Sequence, residues 1–355
     1  MAKKYSVAVV IGRFQPLHAG HVKLINHAKS LAPKVLILMG TDGDRRSYQN
    51  PFTVAERTSM IESTFTSSIF GKDKSITVVP IEDYLYSDNL WVQSVKEAVT
   101  RQAAILPSVA LVGVRKDAST SKYLDMLKES TEYTDETLTV EQPKGTYLNS
   151  GSDIREWMYS TQLDDVTETT IRAMGIHTDT PVDVFMSTAK RALSSMSSNF
   201  RWSPDSRIRA DVFLECNGEF LLYRRNNHPC FTLPGGNVDA HESVTDAAIN
   251  RLKESVGIDL IPGTFTSKTR MYDSPYRSGN RRTIAFVIHV TVGIKPVMDP
   301  DTQSDGFAFW VPMSSMEGRH RNQRIDEVFS ERGLHIGSKR QYMDDYYHII
   351  QDIVN

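Results

Sequence analysis

The sequence predicts an α/β protein with a doubly wound parallel sheet in its first half and an α+β domain in its second half. Strand and helix patterns alternate over the first half, a hairpin signal opens the second, and a Ser-rich stretch separates the two. A chain of 355 residues is also long enough for two domains. We therefore place the first domain at residues 1–180, a linker that could carry a bridging helix at 181–205, and the second domain at 206–355.

The elements of the first half follow from apolar periodicity. Short apolar runs predict buried strands, and apolar residues that recur every three to four positions predict helices. Thr53 and Glu56 have the spacing of a capping box, which marks a helix start. The alternation implies a mostly parallel sheet with helices on both faces. The predicted strands are Tyr5–Ile11, Lys34–Met39, Ser75–Val79 and Val109–Val114, and the predicted helices are Gly20–Leu31, Thr53–Thr64 and Asn89–Gln102.

The second half has a different pattern. Asn217-Gly218 is a strong hairpin dipeptide and lies between two β-rich runs. Gly257 follows a helical pattern at the position expected for a helix C-cap. The predicted strands are Ile208–Cys216, Glu219–Arg225 and Thr283–Val292, and the predicted helices are Val244–Val256 and Met343–Val354.

Composition excludes several classes of protein. The 41 Lys and Arg against 43 Asp and Glu give a formal charge of −2, so we expect no general nucleic-acid binding. No apolar run approaches the roughly 18 residues of a membrane span, and the first apolar run is typical of a strand rather than a signal peptide. Cys216 and Cys230 have neither metal nor redox spacing, which fits a reducing compartment. We therefore expect a cytoplasmic protein with no membrane partner.

The segment Gly12–His21, GRFQPLHAGH, is typical of a phosphate site. It follows the first predicted strand and leads into a helix, whose N-terminus carries partial positive charge. Arg13 offers a planar cation, and His18 and His21 lie about one helical turn apart. Together these features predict phosphoryl or nucleotidyl transfer by positioning and electrostatics, with no covalent intermediate.

A second phosphate cradle is predicted at Ser150–Arg155, SGSDIR. Ser150 can cap a helix, Gly151 and Ser152 expose amides and a hydroxyl, and Arg155 lies one turn inside that helix. Alone, this pattern is at least as typical of an ordinary helix cap. The interpretation as a phosphate site is favoured because the first motif occurs in the same half of the chain.

These motifs resemble those of the HxGH nucleotidyltransferase superfamily, which has a Rossmann-like fold. The HxGH pattern is His18-Ala19-Gly20-His21, and Ser150–Arg155 resembles the S-G-T-x-I-R segment with Ser152 in place of Thr. More narrowly, the sequence resembles archaeal-type nicotinamide mononucleotide (NMN) adenylyltransferases. The segments that carry this narrower resemblance are Gly12–His21, Asn50–Thr53, Glu56-Arg57, Asp88–Trp91 and Gly113–Ser119.

The resemblance implies that the 5′-phosphate of NMN attacks the α-phosphorus of ATP, giving NAD and pyrophosphate. It implies catalytic roles for His18, His21 and Arg155, with the histidines stabilising charge on the triphosphate. Magnesium is expected with ATP, held mainly by phosphates and water. The residues implied to bind substrates are Gly12, Arg13, Phe14, Asn50, Arg57, Asp88, Asn89, Trp91, Gly113, Lys116, Asp117, Ser150, Gly151 and Ser152.

Several of these assignments have alternatives. Trp91 could be a core aromatic residue of an amphipathic helix. Asn50 and Arg57 could hold a loop-to-helix junction, and Arg45 and Arg46 are interpreted as solvated loop charges. The acceptor could be another phosphate, such as flavin mononucleotide, phosphopantetheine or a polyol phosphate. A homo-oligomer is left open.

The segment Leu233–Ile258 resembles the Nudix box, and its flanks resemble ADP-ribose pyrophosphatase-like Nudix domains. In the box, a Gly is followed by five residues, Glu, seven residues and then Arg-Glu-aliphatic-x-Glu-Glu-x-Gly-aliphatic. The residues in register are Gly236, Glu242, Leu252, Glu254, Gly257 and Ile258. The resemblance implies ADP-ribose as a candidate ligand, Glu254 as a metal ligand, and a Nudix site of Gly235, Gly236, Glu242 and Glu254.

The sequence departs from the Nudix box at the metal ligands. Asn250-Arg251 replaces Arg-Glu, and Ser255 replaces the second Glu of the Glu-Glu pair. Two of three helix carboxylates are absent, and an arginine would repel magnesium. Asp246 lies on a broadly similar helix face and could partly compensate. Two interpretations stay open: a hydrolase that uses other carboxylates, or a non-catalytic module that senses ADP-ribose or NAD.

Overall fold

The chain folds as two compact units, Met1–Phe200 and Arg201–Asn355. Within the residues described below, no helix is both long enough and apolar enough to cross a membrane. A computed structural model describes residues 3–40, 46–67, 71–102, 108–115, 118–139, 150–173, 181–196, 203–226, 230–261, 265–274, 281–299, 306–316 and 346–355.

Each strand and helix predicted for the first unit lies close to an observed one, and the structure adds further elements. Thr53 caps the second helix in the predicted capping box with Glu56. The strands are β1 (Val7–Gly12), β2 (Lys34–Met39), β3 (Thr66–Ser67), β4 (Gly71–Lys72), β5 (Ile76–Pro80), β6 (Val109–Val112), β7 (Val114–Arg115), β8 (Thr134–Asp135) and β9 (Leu138–Thr139). The helices are α1 (Ala19–Leu31), α2 (Val54–Thr64), α3 (Asp88–Gln102), α4 (Ala118–Ser130), α5 (Gly151–Ser160), α6 (Glu168–Ala173) and α7 (Val182–Ser195), with a 3-10 helix at Leu163–Asp165.

A parallel sheet with the strand order β5-β2-β1-β6-β8 forms the centre of the first unit. Side chains of each strand alternate between its two faces. Ala8 and Val10 of β1 belong to the core that also contains residues of α1, α2, α5 and α7. Val7 and Val9 belong to the opposite core, which contains residues of α3 and α4. Helices therefore cover both faces, and the predicted doubly wound class is confirmed.

The segment 181–205, predicted to be a linker that could carry a bridging helix, contains helix α7. Val182–Ser195 is a regular helix, and Phe185, Ala189 and Ala192 are wholly buried in the core of the first unit. These three positions recur at four and three residues, so they share one helix face. The Ser-rich composition that suggested a linker lies on the other positions of the helix and just beyond it.

The second unit has the predicted hairpin and helix. Asn217 and Gly218 both have a positive φ, as a two-residue hairpin turn requires, and Gly257 caps α8 with a φ of 70°. The strands are β10 (Ser203–Cys216), β11 (Glu219–Arg225), β12 (Gly235–Asn237), β13 (Thr266–Tyr272), β14 (Arg281–Thr291) and β15 (Gly306–Pro312). The helices are α8 (Val244–Val256) and α9 (Tyr347–Val354), with a 3-10 helix at Met313–Met316.

A mixed sheet organises the second unit. Its strand order is β13-β14-β10-β11-β15, and β12 pairs with β10 beside this path. Strands β10 and β14 run parallel, whereas the other neighbours are antiparallel. Ala210, Val212 and Leu214 of β10 pack with Ala248 and Leu252 of α8. This packing fixes α8 across one face of the sheet, next to the short strand β12.

Candidate active site

The first motif lies where the strand order of the parallel sheet reverses direction. From β1 the chain continues outward to β2 and β5, and then returns to β6 on the other side of β1. A crevice forms outside the carboxyl ends of the strands at such a reversal, and it is the usual ligand site of open α/β sheets. Gly12 ends β1 at this point, so Arg13–His18 forms the loop beside the crevice.

Two imidazoles meet at the start of α1. His18 is the N-cap residue, and its Nδ1 accepts a hydrogen bond from the Gly20 backbone N–H at 3.1 Å. The rings of His18 and His21 are 3.8 Å apart between centroids. A Cβ on Gly20 would lie 3.0 Å from the His18 ring, so a larger residue there would push the ring away. The sequence thus sets both imidazoles at a helix N-terminus.

Phe14 packs against His21 and supports the loop between β1 and α1. This residue is 1 % exposed and has a positive φ of 52°, a conformation that non-glycine residues rarely adopt. Its ring lies 4.6 Å from that of His21, and a Cβ on Gly12 would come within 3.1 Å of it. Gly12 and Phe14 therefore position the histidine loop through packing.

The second motif contacts the first. Ser150 caps α5 in a capping box with Asp153. Arg155 donates from Nη1 to the Gln15 backbone oxygen at 2.5 Å and from Nη2 to the Ser152 hydroxyl at 3.0 Å. Helix α5 thus brings its N-terminus and one arginine to the histidine loop, as a second phosphate cradle requires.

Close backbone packing also joins the two motifs. A Cβ on Gly151 would lie 2.8 Å from the Gln15 carbonyl oxygen, so only glycine allows this approach. The residues brought together at the loop and the α5 N-terminus are therefore Gly12, Arg13, Phe14, His18, His21, Ser150, Gly151, Ser152 and Arg155.

The contacts of Arg57 are those of its structural alternative, and the backbone of Asn50 lies in a turn. Arg57 is wholly buried, and its guanidinium donates to the backbone oxygens of Arg13 at 2.7 Å, Gly40 at 2.8 Å and Thr53 at 3.3 Å. It therefore joins the ends of β1 and β2 to α2 and has no surface for a substrate. The Asn50 N–H donates to the Ser47 hydroxyl at 2.9 Å, within a turn that precedes α2.

The contacts that the structure gives for the predicted α3 residues are with α4. Asp88 and Asn89 are exposed and line a groove of about 500 Å³ between α3 and α4. Asp88 forms an ion pair with Lys122 at 2.5 Å, with both side chains more than half exposed. The Trp91 ring lies 6.0 Å from that of Tyr123 and packs against the α3–α4 core. These contacts agree with the interpretation of Trp91 as a core aromatic residue.

Of the predicted substrate-binding residues Gly113, Lys116 and Asp117, the structure describes Gly113. A Cβ on Gly113 would lie 2.7 Å from the Leu124 side chain, so this glycine lets β6 pack closely on α4. Lys116 and Asp117 lie outside the described residues. Burial raises the pKa of Tyr123 beside Gly113 to about 12, so its hydroxyl stays protonated at neutral pH.

In the second unit, Arg251 lies where the Nudix box has a metal-binding glutamate. Its guanidinium contacts the carboxylates of Glu254 at 2.8 Å, Asp239 at 2.9 Å and Glu242 at 3.5 Å. Within the described part of the chain, no group of three or more His, Cys, Asp or Glu residues is arranged to hold a metal. The expected metal ligand Glu254 gives both carboxylate oxygens to Arg251. These residues do not fit a divalent ion as they stand.

The glycine loop of the box is packed as a strand. Gly235 and Gly236 pair with Asp211 and Ala210 in the β10–β12 ladder. A Cβ on Gly235 would lie 2.2 Å from an Asp211 carboxylate oxygen, and one on Gly236 would lie 2.9 Å from Cδ of Arg251. Both glycines are therefore required by close neighbours in this fold.

Two family models match the chain, one in each unit. The cytidylyltransferase-like model matches residues 9–157, and the NUDIX domain model matches residues 205–331. The first unit is therefore similar to a cytidylyltransferase-like domain and the second to a NUDIX domain, and these names are used for the two segments below. The resemblance inferred from the motifs, a nucleotidyltransferase joined to a Nudix domain, is confirmed.

Curated relatives match part of the chain. The chain is similar to a nicotinamide/nicotinic acid mononucleotide adenylyltransferase of Acinetobacter baylyi, with 33 % identity over 128 residues, 36 % of this chain and 65 % of that protein. It is similar to a nicotinamide-nucleotide adenylyltransferase of Archaeoglobus fulgidus, with 34 % identity over 90 residues, 25 % of this chain and 51 % of that protein. The chain thus spans between half and two thirds of these relatives.

A solved structure shares the two-domain fold. The chain is similar to a bifunctional NMN adenylyltransferase/ADP ribose pyrophosphatase of Francisella tularensis, crystallised with AMP and a manganese ion, with 22 % identity and a TM-score of 0.59. The match covers 92 % of this chain and 99 % of that one. At this identity the likeness shows the fold of both domains together.

The cytidylyltransferase-like domain also uses residues that sequence reasoning missed. Gln15 is 3 % exposed, and its amide exchanges two hydrogen bonds with the backbone of Phe52, at 2.8 and 3.0 Å. Asp83 forms an ion pair with Arg13 at 3.8 Å, and a Cβ on Gly40 would lie 3.0 Å from its carboxylate. Gln15 lies inside the first motif, but its partner Phe52, like the partner of Asp83, is distant along the chain, so neither contact has a local sequence signal.

Arg46 corrects the interpretation of a solvated loop charge; Arg45 lies outside the described residues. Arg46 makes a two-bond ion pair with Glu56, at 2.6 and 2.9 Å, and its side chain is only 17 % exposed. Burial raises the pKa of Glu56, but hydrogen bonds from Arg46 and Thr53 outweigh this and hold it below its ordinary value. The pair fixes the segment that leads into α2.

The buried position of Arg57 gives a prediction about stability. We expect Arg57→Met to lower the free energy of unfolding by about 3 kcal/mol or more, because buried carbonyl groups lose their donors. Urea denaturation of the full chain, followed by circular dichroism, measures this. The matched control is Arg172→Met, which removes an exposed ion pair to Glu168 and should cost less than about 1 kcal/mol. Equal losses in the two variants would contradict the structural role of Arg57.

Proposed function

We propose that the cytidylyltransferase-like domain transfers the adenylyl group of ATP to NMN, giving NAD and pyrophosphate. The observation that carries this proposal is the pair of imidazoles at the α1 N-terminus, with Arg155 of α5 bonded to the same loop. The names of the similar proteins of Acinetobacter baylyi and Archaeoglobus fulgidus support NMN as the acceptor class. We also propose that the reaction takes place in the cytoplasm.

The hydrogen bond at His18 defines which of its atoms can serve the reaction. Because Nδ1 accepts the Gly20 N–H, the proton of a neutral His18 lies on Nε2. That N–H can donate to a phosphate oxygen, and His21, whose ring is 3.8 Å away, can present a second donor. Donors fixed in place before the reaction stabilise the negative charge that grows on the triphosphate in the transition state.

The two arginines complete the electrostatics of the proposed site. Arg13 and Arg155 extend from the loop and from α5, and their permanent charges suit phosphate oxygens. A magnesium ion bound with ATP would offset part of the triphosphate charge beside Arg13 and Arg155. In-line attack by the acceptor phosphate then needs no covalent enzyme intermediate, so positioning and charge stabilisation supply the rate enhancement.

A panel of acceptors tests the proposal. The full chain is incubated with magnesium, ATP and one acceptor phosphate at a time, and pyrophosphate release is measured. The panel contains nicotinamide mononucleotide, nicotinate mononucleotide, flavin mononucleotide, phosphopantetheine and a polyol phosphate. We expect the highest kcat/KM with NMN. A higher value with a non-pyridine acceptor would overturn the assignment of substrate while leaving the transfer chemistry in place.

Arg155→Lys should not behave as a conservative change. Lys keeps the charge but loses the planar fork that bonds Gln15 and Ser152. We expect a clear rise in the apparent KM for ATP, with a smaller effect on the KM for NMN. Steady-state kinetics in each substrate measure this. Equal impairment for both substrates would indicate that Arg155 only joins the loop to α5.

A further inference from the structure

We propose that Arg251 is a built-in cation of the NUDIX domain, which holds three carboxylates together and keeps divalent metal ions out of this site. The three carboxylates belong to Asp239, Glu242 and Glu254. The inference concerns the second domain alone and does not depend on adenylyl transfer in the first.

The guanidinium contacts the carboxylates with both of its terminal nitrogens. Nη1 donates to the two oxygens of Glu254, at 2.8 and 3.0 Å, and Nη2 donates to Asp239 at 2.9 Å. Nη2 also lies 3.5 Å from Glu242, whose other oxygen accepts from the Asn250 amide at 2.9 Å. A metal ion at this place would need the same oxygens, so the arginine and the ion compete.

The arginine is fixed on its backbone side as well. Its side chain is 22 % exposed, and its Cγ and Cδ lie against Gly236, where a Cβ would come within about 3 Å of both atoms. The buried Ser255 donates from its hydroxyl to the Arg251 carbonyl at 2.6 Å. A metal could therefore enter only after this packed side chain has moved.

Electrostatic attraction to the three carboxylates stabilises Arg251 at this position. The Arg251 guanidinium is permanently charged and lies within 3.5 Å of the carboxylates of Glu254, Glu242 and Asp239. Without it, three carboxylates would repel each other at close range. Removing the arginine should therefore create the acidic cluster that a hard divalent cation binds.

The experiment measures Mn²⁺ binding to the full chain by electron paramagnetic resonance, together with its thermal unfolding. Arg251→Met is the test variant, since Met keeps a stem that can pack on Gly236. Lys253→Met is the matched control on the same helix, because it removes only an exposed ion pair to Asp259. We expect Arg251→Met to be less stable than the parent without metal, to bind one additional Mn²⁺, and to regain stability as Mn²⁺ is added.

The parent and Lys253→Met should bind the same number of Mn²⁺ ions. Their thermal stability should rise equally as Mn²⁺ is added, and by less than that of Arg251→Met. Equal Mn²⁺ binding in the parent and Arg251→Met would overturn the proposal. If Arg251→Met does not fold without metal, the double variant Arg251→Met, Glu254→Gln carries less repulsion. It should fold and bind the additional Mn²⁺ more weakly. Failure of that variant to bind more Mn²⁺ than the parent would equally overturn the proposal.

Discussion

His21→Ala is expected to lower kcat for adenylyl transfer by about 100-fold or more, with the fold intact. Loss of one preorganised donor to developing phosphate charge has an effect of this order. The change should not disturb α1, because His18 and not His21 is its N-cap residue, and alanine is a strong helix former. His21→Ala is therefore a cleaner probe than His18→Ala, which would also remove a cap worth about 1 kcal/mol.

The measurement is steady-state pyrophosphate release with ATP and NMN, alongside thermal unfolding of each variant. His27→Ala is the matched control, since it makes the same substitution on α1 away from the loop. We expect His27→Ala to keep turnover near that of the parent. Near-parental turnover in His21→Ala would remove the main support for the proposed mechanism.

Local signals account for most of the element bounds. Strand β2 and helix α8 match their predicted bounds, because an uninterrupted apolar run and a Ser-to-Gly pair of caps mark their ends. Strand β10 is longer than predicted, starting at Ser203 instead of Ile208. Its added residues are mostly polar and become strand by pairing with β14, including Arg207 opposite Thr283. Such pairing depends on a strand some 75 residues away and leaves no local signal.

Some contacts of the candidate site could likewise be predicted from the sequence, and others could not. The contact between the histidine loop and α5 could be anticipated, since both motifs suit phosphates and must meet at one ligand. For Arg57 the sequence leaves a structural and a substrate-binding role open, because its partners are backbone oxygens of residues as far away as Arg13. The placement of Asp88 and Asn89 in the α3–α4 groove likewise follows from helix packing, which a linear motif does not encode. Their roles in binding substrate remain predictions.

Arg251 makes contacts that its position in the Nudix box does not by itself predict. The sequence predicts a cation in place of a metal-binding glutamate. It does not show that Asp239, at a position of the box that the pattern leaves unspecified, contacts that cation at 2.9 Å. The NUDIX domain therefore combines the family fold with an ion cluster that balances part of its own charge.

Restoring the missing carboxylates is expected to produce metal-dependent cleavage. Positions 251, 254 and 255 are three and four residues apart on α8, so carboxylates there share one face and can converge on one cation. The double variant Arg251→Glu, Ser255→Glu should therefore raise magnesium-dependent release of AMP from ADP-ribose by roughly tenfold or more over the parent. Ser255 is only 8 % exposed, so a carboxylate at that position needs the metal to balance its charge. The double variant should accordingly gain thermal stability as magnesium is added.

AMP release is measured for the parent, the double variant and Arg251→Met across a magnesium titration. Arg251→Met separates two effects, because it removes the cation without supplying a ligand. It should bind metal but cleave more slowly than the double variant. Adenylyl transfer, assayed in the same preparations, should be unchanged, since it belongs to the other domain. If the parent already cleaves ADP-ribose at about one per second or faster, a rate typical of enzymes, then Arg251 does not block the site. Carboxylates outside the altered positions, Asp246 or Glu242 first, would then have to hold the metal.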